Sequence, residues 1–175
     1  MSEEFVEKRQ IDRRSGDRRQ GDRRISERRL IPINKEIKQV VDTRILICGD
    51  DSAHEDIVYN TLEQLYKQYT DDFHRLIIIY NENTQIGNLV GLWYGRYIND
   101  DSVASLVFSN NGTTQVARFL CCQRMLSEGN PNEIFAFYET EESFDTHTII
   151  ELALLDSVTV WQYKNNNEAI MVNQI

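Results

Sequence analysis

The chain is poor in cysteine, with three in 175 residues, and two of them (Cys121 and Cys122) are adjacent. That is no disulfide framework, so a reducing cytoplasmic setting is expected. No apolar run approaches the ~20 residues of a membrane-spanning helix. The N-terminal stretch has no apolar signal core, so export by that route is not expected. The histidines His54, His74 and His147 lack metal-ligand spacing, and no Gly-x-Ser-x-Gly, HExxH or Walker pattern occurs. The expectation is a chain with no metal, no cofactor and no membrane partner.

What is present is an Arg-Arg pair recurring every five residues, at Arg13-Arg14, Arg18-Arg19, Arg23-Arg24 and Arg28-Arg29. Each pair follows an acid: Asp12, Asp17, Asp22 or Glu27. Residues 1–30 hold ten bases and seven acids, a net charge of +3; residues 31–175 hold nine bases and twenty-one acids, a net charge of −12. A five-residue period suits neither a helix, where successive pairs spiral by about 140°, nor a strand, where an odd period alternates faces. Gly16 and Gly21 weaken a helix further. Residues 1–33 therefore read as an extended basic arm, disordered alone and ordered on a partner. Guanidinium forks pair with phosphate or carboxylate and stack on planar rings. The partner could be protein, nucleic acid or a neighbouring subunit. The Arg-x-x-x-Arg spacing is also that used by PilZ domains for cyclic di-GMP, but no PilZ barrel pattern follows. The acidic remainder disfavours nucleic-acid binding by the folded part.

Residues 34–175 are long enough to bury a core. Apolar runs at 44–49, 75–80, 103–108, 133–138 and 157–163 alternate with amphipathic stretches. Ile57, Val58, Leu62, Leu65 and Tyr69 share one helical stripe; Ile86 to Tyr97, Val116 to Leu126 and Asp145 to Asp156 mark three more helices. Ser52-Ala-His-Glu55 has the form of a capping box. The alternation predicts a Rossmann-like three-layer α/β sandwich around a parallel five-stranded sheet, with any ligand site at the C-terminal strand ends. Trp93 and Trp161 read as core or subunit-interface anchors, and the three cysteines as buried packing residues.

RILICGDDSAHEDIVYNTLEQL (44–65), ARFLCCQRML (117–126) and EIFAFY followed by FDTHTIIELAL and VTVWQY resemble successive segments of the SLOG superfamily. These Rossmann-like proteins include the LOG phosphoribohydrolases and the DNA-processing protein DprA. The resemblance covers roughly residues 43–163. Tyr80 and Asn81 stand where the family has glycines after its second strand, and Asn88 lies nearest its aspartate. Cys121-Cys122 replaces an Arg-Asn pair. YETEESFDT replaces the glycine turn that cradles phosphate, placing Glu139, Glu141, Glu142 and Asp145 there instead. Carboxylates repel phosphate, and glycine is what lets backbone N–H groups approach it.

Gly49, Asp50 and Asp51 read either as a ligand contact or as turn and cap residues. Candidate ligand contacts are Gly49, Asp50, Asn81, Asn83, Asn88, Asp145 and Thr146; the eight paired arginines are the candidate partner contacts. The acidic loop reads as solvated, with Asp145 capping its helix, as an oxygen-ligand cation site, or as a receiver for a neighbour's arm. Together these point to a non-catalytic, oligomeric SLOG-like assembly protein whose arm docks on an anionic partner or a neighbouring subunit. The second reading is a sensor of a nucleotide-derived small molecule, and the third an active nucleotide phosphoribohydrolase.

Overall fold

A computed structural model of the chain describes residues 40–71, 73–138, 143–164 and 169–172. The Arg-rich repeat, the junction at residues 33–34 and the acids Glu139, Glu141 and Glu142 lie outside them. The elements in order are β1 (Val41–Gly49), α1 (Glu55–Tyr69), β2 (His74–Asn81), α2 (Gln85–Tyr94), β3 (Val103–Phe108) and α3 (Gln115–Ser127). They continue with β4 (Glu133–Tyr138), α4 (Phe144–Leu155), β5 (Thr159–Lys164) and β6 (Ile170–Val172).

The fold is α/β and Rossmann-like, with one six-stranded sheet in the order β3-β2-β1-β4-β5-β6. The first five strands run parallel, with Ile45 opposite Ile78, Ile47 opposite Phe135, and Ile79 opposite Leu106. The sequence led us to expect five strands; β6 is the addition, and it runs antiparallel to β5, with Met171 opposite Trp161. Three residues are too few to display alternation, but their backbone gives the outer edge of β5 a partner.

The central strands are apolar without alternation because both faces are covered. Odd-numbered β1 residues such as Ile45 and Ile47 pack with Val58, Leu62, Val90 and Trp93 of α1 and α2. Even-numbered Leu46 and Cys48 pack with Cys121, Cys122, Met125 and Ile149 of α3 and α4. β3 lies at the sheet edge, and there Val107 is 47% exposed. Among the described residues no helix is long and apolar enough to cross a membrane.

Two local expectations are corrected. α1 starts at Glu55 with His54 at its N-cap and no side-chain cap, so Ser52 does not form a capping box. Instead Asp50 Oδ1, at the strand exit, accepts from the Ser52 amide (3.3 Å) and hydroxyl (2.6 Å). α2 ends at Tyr94, short of the expected Tyr97. Tyr97 lies in the following turn, its ring 4.7 Å from that of Trp93, and donates to Glu63 Oε1 at 2.9 Å.

Candidate functional site

Strand order reverses between β1 and β4. The chain steps outward through β2 and β3, then crosses back by α3 to the other side of β1. A crevice opens at the C-terminal ends of such strands. Here its floor is Gly49. A Cβ at that position would lie 2.3 Å from the Phe137 carbonyl oxygen, so only glycine lets β1 and β4 stay paired there. The next amide, of Asp50, donates to that same carbonyl at 3.0 Å.

One wall is built at the end of β2. Gly87, in the first turn of α2, sits so close that a Cβ would meet Asn81 O at 1.8 Å. Thr84 caps the helix, its hydroxyl donating to Asn81 O (2.9 Å) and accepting from the Gly87 amide (3.0 Å). Asn81 itself is buried. Its side chain accepts from the Asn83 amide (3.0 Å) and donates to Asn110 Oδ1 (3.2 Å). The Asn110 amide donates in turn to Asn83 Oδ1 (2.7 Å), so the ends of β2 and β3 are tied together by three asparagines.

The opposite wall is α4. Its N-cap is Ser143, which accepts from the Thr146 amide and shares a 2.9 Å hydrogen bond with the Thr146 hydroxyl. Asp145 is therefore not the cap anticipated from the sequence. Ser143 already holds that place, which leaves the Asp145 carboxylate to accept from Arg118 Nε of α3 at 2.9 Å. The same guanidinium lies over the Phe144 ring at 5.4 Å.

Between these walls is a cavity of ≈ 240 Å³. Gly49, Asp50, Asn83 and Asp145 line it, together with Asp51, Thr84, Asn110, Arg118 and Ser143. Of the other sequence candidates, Asn81 lies beneath the wall, Thr146 is wholly buried, and Asn88 is exposed one turn into α2, off the lining. Sequence reasoning passed over Arg118 and Asn110. Arg118 is the sole base in the first two turns of α3, and no local spacing pairs it with Asp145, 27 residues further on.

Three carboxylates face one guanidinium in this cavity, and the rest of the lining is amide, hydroxyl and backbone. Such a surface hydrogen-bonds neutral polyhydroxyl or amide groups and disfavours a dianion. The neighbouring thiols are poor nucleophiles: burial pushes Cys122 up to about 12, assisted by the Asp145 charge, and burial raises Cys121 as well. Among the described residues no three His, Cys, Asp or Glu side chains are grouped to hold a metal ion. The acidic loop considered for a cation lies partly outside those residues.

No protein-family model matches the chain, and no curated protein matches it in sequence. The resemblance to the SLOG superfamily rests on the sequence pattern alone.

Proposed function

We propose that the protein is a non-catalytic, SLOG-like assembly protein: a Rossmann-like body that binds, and an Arg-rich arm that docks on an anionic surface of neighbouring subunits. The observation that carries the non-catalytic part is the Arg118–Asp145 pair. The one guanidinium in the crevice is already matched by a carboxylate on the first turn of α4, where a phosphate would have to sit. A phosphate charge ~5 Å from Asp50 or Asp145 is repelled by about 3 kcal/mol per pair of unit charges at an effective dielectric of ~20. Incubation with a panel of nucleoside monophosphates tests this: no free base should form above the enzyme-free background. Turnover abolished by Asp145→Ala would overturn it.

A second reading, a sensor of a nucleotide-derived molecule, is favoured by the asparagine-lined wall. Asn83 and Asn110 offer amides at the cavity surface, and Asp50 accepts hydroxyl donors, as it does from Ser52. Calorimetry with nucleosides and their monophosphates separates the two readings. The sensor reading requires saturable binding of a dephosphorylated ligand that Asn83→Ala weakens.

The assembly part is supported by the charge division between residues 1–30 and the acidic remainder. Deleting residues 1–30 should abolish association while leaving the thermal midpoint nearly unchanged, since the arm is too poor in apolar residues to add to a core. An unchanged oligomeric state after deletion would rule out the arm as the assembly element.

A further inference from the structure

The helices of this fold do not cover both faces of the sheet equally. α4, which links β4 to β5, packs on the face carrying Leu46 and Ile134, and β5 leads to β6 as an antiparallel neighbour. On the other face α1 and α2 pack with the core from Ile45 and Ile47, whereas Trp161 and Tyr163 of β5 are only partly buried. Register places Phe135, Trp161 and Met171 in one row across three strands, and Phe137 and Tyr163 in the next. The rings stack, Phe137 on Tyr163 at 4.7 Å and Phe135 on Trp161 at 6.3 Å between centroids. Between this aromatic floor and the end of α1 runs a groove of ≈ 490 Å³.

At one end of the groove stands Glu133. Its two carboxylate oxygens accept from the Tyr69 hydroxyl (2.9 Å) and the Trp161 indole N–H (2.7 Å), both neutral donors. The described lining contains no lysine or arginine; Gln64 and Gln68 supply its other polar groups. The groove thus combines a fixed carboxylate, without a cationic partner among the described residues, with the negative faces of two large rings. A guanidinium satisfies both at once, because it is planar, weakly hydrated and able to stack while it donates. A neutral ring would fill the space and leave the carboxylate unmatched. The protein already uses this combination at Arg118, which bonds Asp145 while lying over Phe144, and at Arg124, which bonds Glu128 while lying over Phe108.

The sequence also limits which arginine could arrive. Every arginine among the described residues has a partner. Arg44 donates to Gly129 O, Arg75 to Asp42, Arg118 to Asp145 and Arg124 to Glu128, and Arg96 lies over Tyr59. The remaining arginines of the sequence all precede residue 30, eight of them in the repeat. We propose that the groove between α1 and the β4–β5 end of the sheet is a guanidinium-binding site, and that its occupant is an arginine of the Arg-Arg repeat of a second copy. This rests on the assembly reading above and names its receiving surface.

The experiment uses the full chain in three forms: unaltered, with all eight arginines of the repeat changed to Gln, and with Glu133→Gln. Each is checked for an intact circular dichroism spectrum and then sedimented at low and high salt. Trp161→Leu serves as a second groove variant should Glu133→Gln misfold. The unaltered chain should associate, and both the arm and groove variants should weaken association about tenfold or more, the loss of a charge-assisted contact. Mixing the two variants should restore a heterodimer, because one carries an intact groove and the other an intact arm. If the arm variant dissociates but the folded groove variants associate as the unaltered chain does, the assembly reading stands and the groove assignment falls. If the arm variant associates unchanged, or the unaltered chain is monomeric throughout, both fall.

Discussion

Arg118 Nε lies 2.9 Å from Asp145 Oδ1, and this contact joins α3 to α4 across the mouth of the crevice. The side chains are 33% and 13% exposed, so the pair is neither a solvated surface bridge nor a fully buried one. Arg118→Ala should lower the unfolding free energy by about 1–2 kcal/mol, between the values for exposed pairs and for buried charged hydrogen bonds. Asp145→Asn should cost less, since the amide oxygen still accepts. Urea denaturation of both single variants and of the double variant gives the coupling directly; additive effects would mean that the pair contributes nothing.

Two glycines of α2 should respond in opposite directions to alanine. At Gly87 the new methyl would lie 1.8 Å from the Asn81 carbonyl oxygen, a backbone atom at the end of β2. Gly87→Ala must therefore push α2 away from the sheet, at a cost of at least about 3 kcal/mol. At Gly91 the nearest atom is the Tyr80 hydroxyl at 3.4 Å, an ordinary contact. Gly91→Ala should stabilise by about 0.5–1 kcal/mol, because it removes backbone freedom from the unfolded chain. Thermal midpoints that move in the same direction for both variants would contradict this.

Continuous apolar runs such as Leu76 to Tyr80 identify strands covered on both faces, and the bounds of β4 can be read directly from such a run. Ile170–Val172 cannot be read that way, because it is a strand only through its pairing with β5. Of the site, Gly49, Asp50, Asn83 and Asp145 were identifiable as residues leaving strands or opening helices. Arg118 was not. It acts through a helix twenty-seven positions from its partner, and only the packing of α3 against α4 brings the two together. The caps were misread for a related reason. Ser52 and Asp145 have the right residue types, but Asp50 engages the Ser52 amide and hydroxyl, and Ser143 takes the N-cap place of α4.

The three thiols should be unreactive in the native protein. Cys48, Cys121 and Cys122 are buried, and burial raises Cys121 while it pushes Cys122 up to about 12. Since the thiolate is the reactive form, thiol–disulfide exchange near neutral pH should proceed only through opening of the fold. Rates measured with a chromogenic disulfide should follow urea concentration as the unfolding equilibrium does. A fast native phase accounting for one thiol would show that a cysteine is reached without unfolding.

Tyr69 ties stability to alkaline pH. Its phenol is pushed up from 10.0 to about 12 by burial, with further contributions from its hydrogen bond to Glu133 and from the Glu133 charge. The sign follows from linkage. The unfolded chain loses the Tyr69 proton near pH 10, while the folded chain keeps it until about pH 12. Over that window the unfolded state binds fewer protons, so stability falls as pH rises, whereas below pH ~10 the contribution is fully present. Tyr66, Tyr80 and Tyr97 are shifted upward as well, so the unaltered protein should lose stability steeply there. Tyr69→Phe should be less stable at neutral pH, having lost the bond to Glu133, but its stability should decline less between pH ~10 and ~12. Urea midpoints across that range test the slope, and ultraviolet titration should find one fewer late-ionising phenol in the variant. Parallel slopes for the two proteins would mean that Tyr69 ionises no later in the folded chain than in the unfolded one.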